Sequence, residues 1–186
     1  MIPDNEFITS KDVPGPTKEE IRCLVICKSD VSTDDIVVDI GCGTGGLTLE
    51  FAKRAKKVYA IDKKIEALNL TLKNLENHNL EHKVEIIHKD ALNALKNISR
   101  FDILMIGGSK GDLPLIIEEG YKKLNDRGKI IVTSILIETP LEAIQNMKKM
   151  GMEIEIVNAT ISKGEIIERG TMMIANNPIN IVTGNK

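Results

Sequence analysis

The run Asp39-Ile-Gly-Cys-Gly-Thr-Gly45 is the part of the sequence best suited to bind a ligand. Its three glycines allow positive φ values and let the backbone approach a ligand without a Cβ in the way. A helix is predicted directly after the run, and its first free N–H groups can bind a carboxylate. The Asp39 carboxylate can orient the loop or accept a hydrogen bond from an ammonium group. We therefore predict contacts to the amino-acid end of a ligand at Asp39, Gly41, Cys42, Gly43, Thr44 and Gly45.

Two further acids follow the next two apolar runs. Asp62 lies 21 residues after Gly41, where a carboxylate can accept both hydroxyls of a ribose. Asp90 and Ala91 follow the third run, where a side-chain acceptor and a backbone N–H can meet an adenine base. Because ligands of doubly wound sheets bind at the carboxyl ends of the strands, these groups predict a single crevice for S-adenosylmethionine.

The same loop also matches the dinucleotide-binding pattern, since Gly41, Gly43 and Gly46 are spaced as G-x-G-x-x-G. Dinucleotide-binding proteins usually carry an apolar residue two positions before the first glycine, because a pyrophosphate must approach there. In this chain that residue is Asp39, whose negative charge would repel a pyrophosphate. A glycine-rich turn without any ligand would leave the three acids unexplained. The pattern therefore favours S-adenosylmethionine over a nicotinamide cofactor.

The elements that position these residues alternate between short β-branched runs and amphipathic stretches, as in a parallel sheet covered by helices. Nearly continuous apolar runs predict strands buried on both faces over residues 36–40, 58–61, 84–87, 103–106 and 129–136. Helices are predicted over residues 47–55, 65–77, 113–124 and 140–150. A capping-box pattern at Thr17 and Glu20 predicts a further helix that ends near Cys27, with Cys23 and Cys27 packed on its buried face.

The C-terminal part of the sequence breaks this alternation. Residues 153–161 and 166–175 are predicted strands, and the four residues between them leave no room for a helix. Such a short connection requires an antiparallel hairpin. The predicted fold class is therefore α/β, a Rossmann-like class I methyltransferase with a seven-stranded, mostly parallel sheet and a C-terminal antiparallel hairpin.

Length and composition indicate one domain, residues 1–186, with a soluble globular balance of 42% hydrophobic and 28% charged residues. The net charge of −2 provides no general attraction to nucleic acid, and no apolar run is long enough to cross a membrane. We expect a cytoplasmic protein that binds neither a membrane nor nucleic acid. The three cysteines and three histidines show no metal-ligand spacing, and we predict no metal site.

Several motifs resemble one family over almost the whole chain. They include Ile2-Pro-Asp4, Val38-Asp-Ile-Gly-Cys-Gly-Thr-Gly-Gly46, Val58-Tyr-Ala-Ile-Asp62, Ile106-Gly-Gly-Ser109 and Arg169-Gly-Thr-Met-Met173. The chain is similar to the cobalamin-biosynthesis methyltransferases of the CbiT family, which methylate cobalt-precorrin-6B at carbon-15 and decarboxylate it. The glycine loop and Asp62 are common to methyltransferases at large, whereas the double glycine with Ser109 and the Arg-Gly-Thr-Met-Met run are more specific.

The resemblance implies S-adenosylmethionine contacts at Thr17, in the glycine loop, and at Asp62 and Ala91. It also implies a tetrapyrrole substrate, a homo-oligomer that is a tetramer, and a place in the anaerobic cobalamin pathway. The matching residues cover the carbon-15 activity alone. A separate carbon-5 methyltransferase is therefore an expected functional partner.

A tetrapyrrole with many carboxylates requires cations at the rim of its pocket. The candidates are Lys110 after the fourth strand, Lys163 and Arg169, each of which could equally be a solvated surface charge. Gly108 and Ser109 are predicted to contact the substrate from the same loop as Lys110. Glu138 after the fifth strand could handle a proton, or it could simply lie near a helix cap at Thr139. The sequence assigns no catalytic base.

Three other functions remain open from the sequence. The first is a methyltransferase that acts on an RNA base, although the loop after the fourth strand lacks the Asn-Pro-Pro-Tyr type of sequence used for adenine amino groups. The second is a nicotinamide-dependent reductase. The third is a cofactor-binding module without catalysis.

Overall fold

The computed structural model describes residues 1–109 and 111–186, and Lys110 lies outside this part of the chain. Its elements alternate as predicted through the first five strands. Six helices are described: α1 (Glu19–Ser29), α2 (Gly46–Ala52), α3 (Ile65–Asn77), α4 (Ala91–Asn97), α5 (Leu113–Lys123) and α6 (Glu138–Lys149). Strands are β1 (Ile36–Ile40), β2 (Lys57–Asp62), β3 (Val84–His88), β4 (Phe101–Ile106), β5 (Leu124–Ser134), β6 (Glu153–Ala159), β7 (Ser162–Ile167), β8 (Gly170–Ala175) and β9 (Ile179–Asn185).

Seven strands form the main sheet in the order β3-β2-β1-β4-β5-β9-β6. Strands β1 to β5 are parallel to one another, whereas β9 runs antiparallel to both β5 and β6. The chain therefore runs outward from β1 to β3 in one direction and from β4 to β5 in the other. This order confirms the predicted α/β fold with a seven-stranded, mostly parallel sheet.

The side chains of each strand alternate between two apolar cores, one on each face of the sheet. Val37 packs with residues of α1, α2 and α3, while Val38 packs on the opposite face with residues of α4, α5 and α6. Both side chains are completely buried. Burial on both faces explains why these strands are nearly continuous apolar runs in the sequence.

The predicted C-terminal hairpin is wrong in the identity of its strands. Residues 162–175 form a separate two-stranded sheet of β7 and β8, and its turn lies at Glu168 and Arg169. The strand that pairs with β6 in the main sheet is β9, which the sequence analysis did not identify. Alternation of apolar residues predicts that a segment is extended, but it does not specify which strand becomes its neighbour.

Three local predictions also need correction. Helix α4 was not predicted, because its seven residues form too short a pattern. Thr17 does not cap α1, which begins at Glu19 and has no side-chain cap. Cys23 and Cys27 are exposed, since Ile21 and Val25 form the buried face of this helix.

The N-terminal segment is held against α1 and α2 by a buried ion cluster. The Arg22 guanidinium has no solvent exposure and donates to Asp4 Oδ1 at 2.8 Å and to the carbonyl oxygens of Ile2 and Thr17. The equally buried Glu50 carboxylate lies 3.7 Å from Arg22 Nε and accepts from the Ile2 N–H at 2.6 Å. Because a buried charge is costly unless it is paired, this cluster fixes the course of residues 2–17 over the sheet.

Within the described residues, no helix is both long and apolar enough to span a membrane. Likewise, residues 1–109 and 111–186 contain no cluster of three His, Cys, Asp or Glu side chains that could hold a metal ion.

Candidate active site

The loop after β1 lies directly against the loop after β4. The Gly41 N–H donates to the Ile61 carbonyl at 2.8 Å, and the Gly107 N–H donates to the Ile40 carbonyl at 2.9 Å. Gly41 has φ +77°, and a Cβ at this position would lie 3.0 Å from the Gly108 nitrogen. Glycine is therefore required at position 41 both for its backbone conformation and for the close approach of the two loops.

Helix α3 holds the rest of the glycine loop through two side chains. Thr71 Oγ1 donates to the Gly43 carbonyl at 2.8 Å, and Asn74 Nδ2 donates to the Thr44 carbonyl at 2.9 Å. On the other side, Thr44 Oγ1 donates to the Pro14 carbonyl at 2.6 Å and so joins the loop to the N-terminal segment. These bonds fix the loop before any ligand binds.

Asp62, at the end of β2, accepts hydrogen bonds at both carboxylate oxygens. The Gly43 N–H donates to Oδ2 at 3.2 Å, and the Lys64 N–H donates to Oδ1 at 3.0 Å. A carboxylate oxygen can accept more than one hydrogen bond, so these contacts leave acceptor capacity for a ligand. Asp62 therefore both supports the glycine loop and faces the cavity beside it.

Asp39 is buried, with 2% exposure, and accepts a hydrogen bond from Thr48 Oγ1 at 2.6 Å. The pKa of Asp39 is raised from its ordinary 3.8 to about 6, mainly by burial and to a lesser extent by the nearby negative charge of Asp62. The hydrogen bond from Thr48 opposes this rise. No cationic side chain among the described residues forms a salt bridge with Asp39. A ligand cation would therefore find a desolvated anion at the end of β1.

Asp90 precedes α4 as its N-cap. Its Oδ1 accepts from the Asn93 N–H at 2.9 Å and its Oδ2 accepts from Asn93 Nδ2 at 2.7 Å. Hydrogen bonds from the Asn93 backbone and side chain lower the pKa of Asp90. The carboxylate is therefore already engaged in the helix cap, although Asp90 and Ala91 both line the cavity.

A cavity of about 370 Å³ lies between these three strand ends. Every predicted cofactor residue except Gly45 lines it, and Gly45 instead supports the loop from below with φ +88°. Asp39, Asp62 and Asp90 therefore share one hollow. The sequence analysis missed the segment Val13–Pro16 and the lysines Lys63, Lys64 and Lys89, which also line this cavity.

A second cavity of about 910 Å³ lies beside the first, over the ends of β4 and β5. The two cavities share a wall formed by residues 14–17, residues 107–109 and Thr133. A group bound in the smaller cavity could therefore reach a molecule in the larger one across this wall. The arrangement therefore provides adjoining space for two ligands.

The structure separates the predicted substrate residues. Gly108 and Ser109 line both cavities, whereas Glu138 is exposed and is not among the lining residues. Arg169 is exposed in the turn between β7 and β8 and lines neither cavity. Lys110 lies outside the described residues.

The structure also assigns the remaining polar residues near these cavities. Lys163 pairs with Glu20 at 2.6 Å and is therefore a structural contact between β7 and α1. The larger cavity is lined by polar residues that the sequence did not single out as substrate contacts, namely Ser134, Thr139, Glu142, Asn176 and Asn177. The last two precede β9, and that strand was itself unrecognised.

The raised pKa of Asp39 predicts a pH-dependent cost in stability. The folded state binds the Asp39 proton more tightly than the unfolded chain, so the free energy of unfolding should fall as pH rises from about 4 to about 6. At neutral pH, the full pKa shift of Asp39 corresponds to a loss of roughly 3 kcal/mol in the free energy of unfolding. Asp39→Asn keeps an acceptor for Thr48 without the charge, and we expect it to be more stable than the wild type at pH 7.

Urea unfolding of the ligand-free protein between pH 4 and pH 7 measures this effect. The stability difference between Asp39→Asn and wild type should grow with pH, whereas the exposed control Asp126→Asn should follow the wild type throughout. A difference that stays constant with pH would contradict the assignment.

Comparisons with known proteins identify the family to which the chain is similar. A family model described as precorrin methyltransferase domain matches residues 12–185. A protein of Methanobrevibacter smithii named probable cobalt-precorrin-6B C(15)-methyltransferase (decarboxylating) is 50% identical over 186 residues, with all of both chains covered. The crystal structure of a Methanobacterium thermoautotrophicum protein named precorrin 8W decarboxylase superposes with a TM-score of 0.96, at 44% identity and with 99% of each chain covered.

A second solved structure, named precorrin-6y C5,15-methyltransferase, comes from Geobacter metallireducens. It superposes with a TM-score of 0.92 at 25% identity and covers 100% of this chain and 98% of its own. The family match and the 50% identical relative both span nearly the whole chain. The chain therefore belongs to the precorrin methyltransferase family.

Proposed function

We propose that this protein uses S-adenosylmethionine to methylate carbon-15 of cobalt-precorrin-6B and removes carbon dioxide from an acetate side chain of the same substrate. The reaction belongs to anaerobic cobalamin biosynthesis. The observation that carries this proposal is the pair of cavities that share one wall. One cavity suits a nucleoside with an amino-acid tail, and the other is large enough to admit part of a tetrapyrrole.

The residues of the smaller cavity fit the three parts of S-adenosylmethionine. The desolvated Asp39 carboxylate suits the ammonium group of the methionine part, and the glycine loop admits its backbone at close range. Asp62 retains acceptor capacity for the ribose hydroxyls. Asp90 and Ala91 line the part of the cavity that we assign to the adenine. Because the Asp90 carboxylate is engaged in capping α4, the backbone N–H of Ala91 is the better candidate for recognising the base.

The same residues argue against a dinucleotide. A pyrophosphate bound at the glycine loop would lie close to Asp39, a buried anion without a cationic partner among the described residues. Repulsion between like charges is strong where water is excluded. The glycine spacing is compatible with both ligands. Lys63, Lys64 and Lys89 also line this cavity, but the charge buried at the end of β1 is that of Asp39, and it favours a cation at that position.

The contribution of this chain to methyl transfer is the positioning of two reactants. When bound, S-adenosylmethionine supplies an electrophilic methyl group. The shared wall of residues 14–17 and 107–109 holds the two cavities in a fixed relation, and orientation of this kind can contribute several kcal/mol, within the range of roughly 7–11 kcal/mol available to well-oriented reactions. Residues 14–17 owe their position to Arg22 and Thr44, so the N-terminal segment is part of the site.

The direct test is turnover of cobalt-precorrin-6B by the purified protein. With S-adenosylmethionine present, mass spectrometry should detect a product that has gained a methyl group and lost carbon dioxide, together with S-adenosylhomocysteine. A substrate of unchanged mass would reject the function. Salt-sensitive binding and methylation of RNA in the same preparation would instead favour the RNA alternative.

We expect Asp62→Ala to weaken S-adenosylmethionine binding by roughly 1–3 kcal/mol, because both the ribose hydrogen bonds and the contact with the Gly43 N–H are lost. Isothermal titration calorimetry measures the dissociation constant, and circular dichroism confirms that the variant is folded. Asp126→Ala, an exposed acid of β5 far from the loop, serves as the control. An unchanged dissociation constant for Asp62→Ala would show that the ribose assignment is wrong.

The chain also carries features that suit assembly into a homo-oligomer, which we propose to be a tetramer. The hairpin of β7 and β8 exposes Ile166 by 89% and Met173 by 63%, and the register places both on the same face beside Gly164 and Thr171. Large exposed apolar side chains on one face of a projecting hairpin usually mark a contact with another protein.

Replacement of Ile166 and Met173 together by Asp should convert the oligomer into smaller species. The two new carboxylates would lose their hydration in an interface and so weaken association, whereas on a free surface they would remain hydrated and cost little free energy. Size-exclusion chromatography with light scattering measures the mass, and Leu115→Asp, which changes an exposed apolar residue of α5, is the control. An unchanged mass for the double variant would exclude this face as the interface.

We place the protein in the cytoplasm, where its three free cysteines would remain reduced. We further propose that a separate carbon-5 methyltransferase works with it in the pathway. The motifs that resemble the family cover the carbon-15 activity, and we assign the two cavities described above to that one reaction.

A further inference from the structure

The larger cavity has an almost uncharged wall. Among the described residues that line it, Lys18 and Glu142 alone carry a charge. The side chain of Lys18 is 55% exposed and lies 3.8 Å from Asp4, so it belongs to the rim. Glu142 is therefore the one described acid on the wall of the cavity that we assign to the tetrapyrrole.

Glu142 lies on α6, one turn after Glu138 and three residues after Thr139. Thr139 also lines the cavity, which places it and Glu142 on the same side of the helix. Glu142 is half-buried, and Asn146 Nδ2 donates to its carbonyl oxygen at 2.8 Å. Within the described chain no salt bridge or hydrogen bond engages its carboxylate. The acid group therefore has no structural partner there that would explain its position.

The reaction requires one proton to be gained and one to be lost. When the C–C bond to the acetate carboxylate breaks, carbon dioxide leaves and the electron pair passes into the conjugated ring and the remaining methylene carbon. That carbon must take up a proton to become a methyl group. The ring carbon that has received the new methyl group must release its hydrogen as a proton to restore conjugation. These two transfers cancel, so a single carboxyl group can serve both.

On the basis of the proposed function, we propose that Glu142 is the catalytic residue that carries this proton. Its carboxyl group donates a proton to the methylene carbon left by carbon dioxide, and the resulting carboxylate accepts the proton released by the methylated ring carbon. The group returns to its starting form at the end of each turnover. No external acid, oxidant or reductant is needed.

The other acids near the site are less suited to this role. Asp39, Asp62 and Asp90 line the smaller cavity and are engaged by Thr48, by backbone N–H groups and by Asn93, respectively. Asp112 lines only the smaller cavity as well. Glu138, the acid that the sequence suggested, is exposed and lines neither cavity among the described residues.

Kinetic comparison of Glu142→Gln with Glu138→Gln tests the proposal. Both substitutions keep the size of the side chain and remove the acid, and the two positions lie one turn apart on the same helix. Steady-state turnover of cobalt-precorrin-6B gives kcat and KM, absorbance titration gives the affinity for the tetrapyrrole, and calorimetry gives the affinity for S-adenosylmethionine. Glu142→Asp, which keeps a carboxyl group on a shorter side chain, is the conservative variant, and Asp126→Asn, at an exposed acid that lines neither cavity, is a further comparison.

We expect Glu142→Gln to lower kcat by about 10²-fold or more, as for loss of a general acid or base, with both binding affinities unchanged. Glu142→Asp should recover part of this loss, while Glu138→Gln and Asp126→Asn should remain near wild type. The proposal is overturned if kcat of Glu142→Gln is unchanged, if only the tetrapyrrole affinity falls, or if Glu138→Gln carries the loss instead. If the wild type itself forms no product, the proposed function fails, and this inference fails with it.

Discussion

The contact between Gly41 and Gly108 is the constraint on which the site depends. Strand order reverses between β1 and β4, so the loops that follow these neighbouring strands lead to helices on opposite faces of the sheet. A crevice opens wherever two such loops diverge, and doubly wound proteins bind ligands there. In this chain the loops touch before they diverge, and a Cβ at residue 41 would lie 3.0 Å from the backbone of the other loop. The contact gives the two cavities their common wall.

The second wall of the site comes from the N-terminal segment, which belongs to no strand or α-helix. Its position depends on Arg22, a fully buried guanidinium whose hydrogen bonds go to Asp4 and to the carbonyls of Ile2 and Thr17. A buried ion cluster of this kind is weak grounds for expecting high stability, because desolvation offsets much of the attraction between its charges. Its consequence here is geometric, because an irregular segment reaches the cavities along one path and contributes residues 14–17 to their shared wall.

Sequence patterns predicted the parts of this structure that depend on local chemistry. The glycine loop, Asp62 and the first five strands follow from residue types and spacing, and the cavity that joins them follows from the rule for strand ends. Failures occurred where the outcome depends on long-range pairing. Residues 166–175 have the composition of a core strand, yet β8 lies outside the main sheet, while β9 lies between β5 and β6. Glu138 and Glu142 are acids one turn apart on α6, and the sequence alone does not show which of them faces a cavity. The structure places Glu142, and not Glu138, on the cavity wall.

Three aspartates at three strand ends show how environment assigns different roles to one side chain. Asp90 is exposed and its charge is stabilised by hydrogen bonds from Asn93, so it serves as a helix cap at little cost. Asp62 is held by two backbone N–H groups and keeps acceptor capacity for a ligand. Asp39 lies in the core with a single hydroxyl donor, and its pKa of about 6 indicates an unfavourable charge in the ligand-free protein at neutral pH. A bound ammonium group would reduce that penalty, so a charge that is unfavourable in the empty protein would become favourable once a cationic cofactor binds.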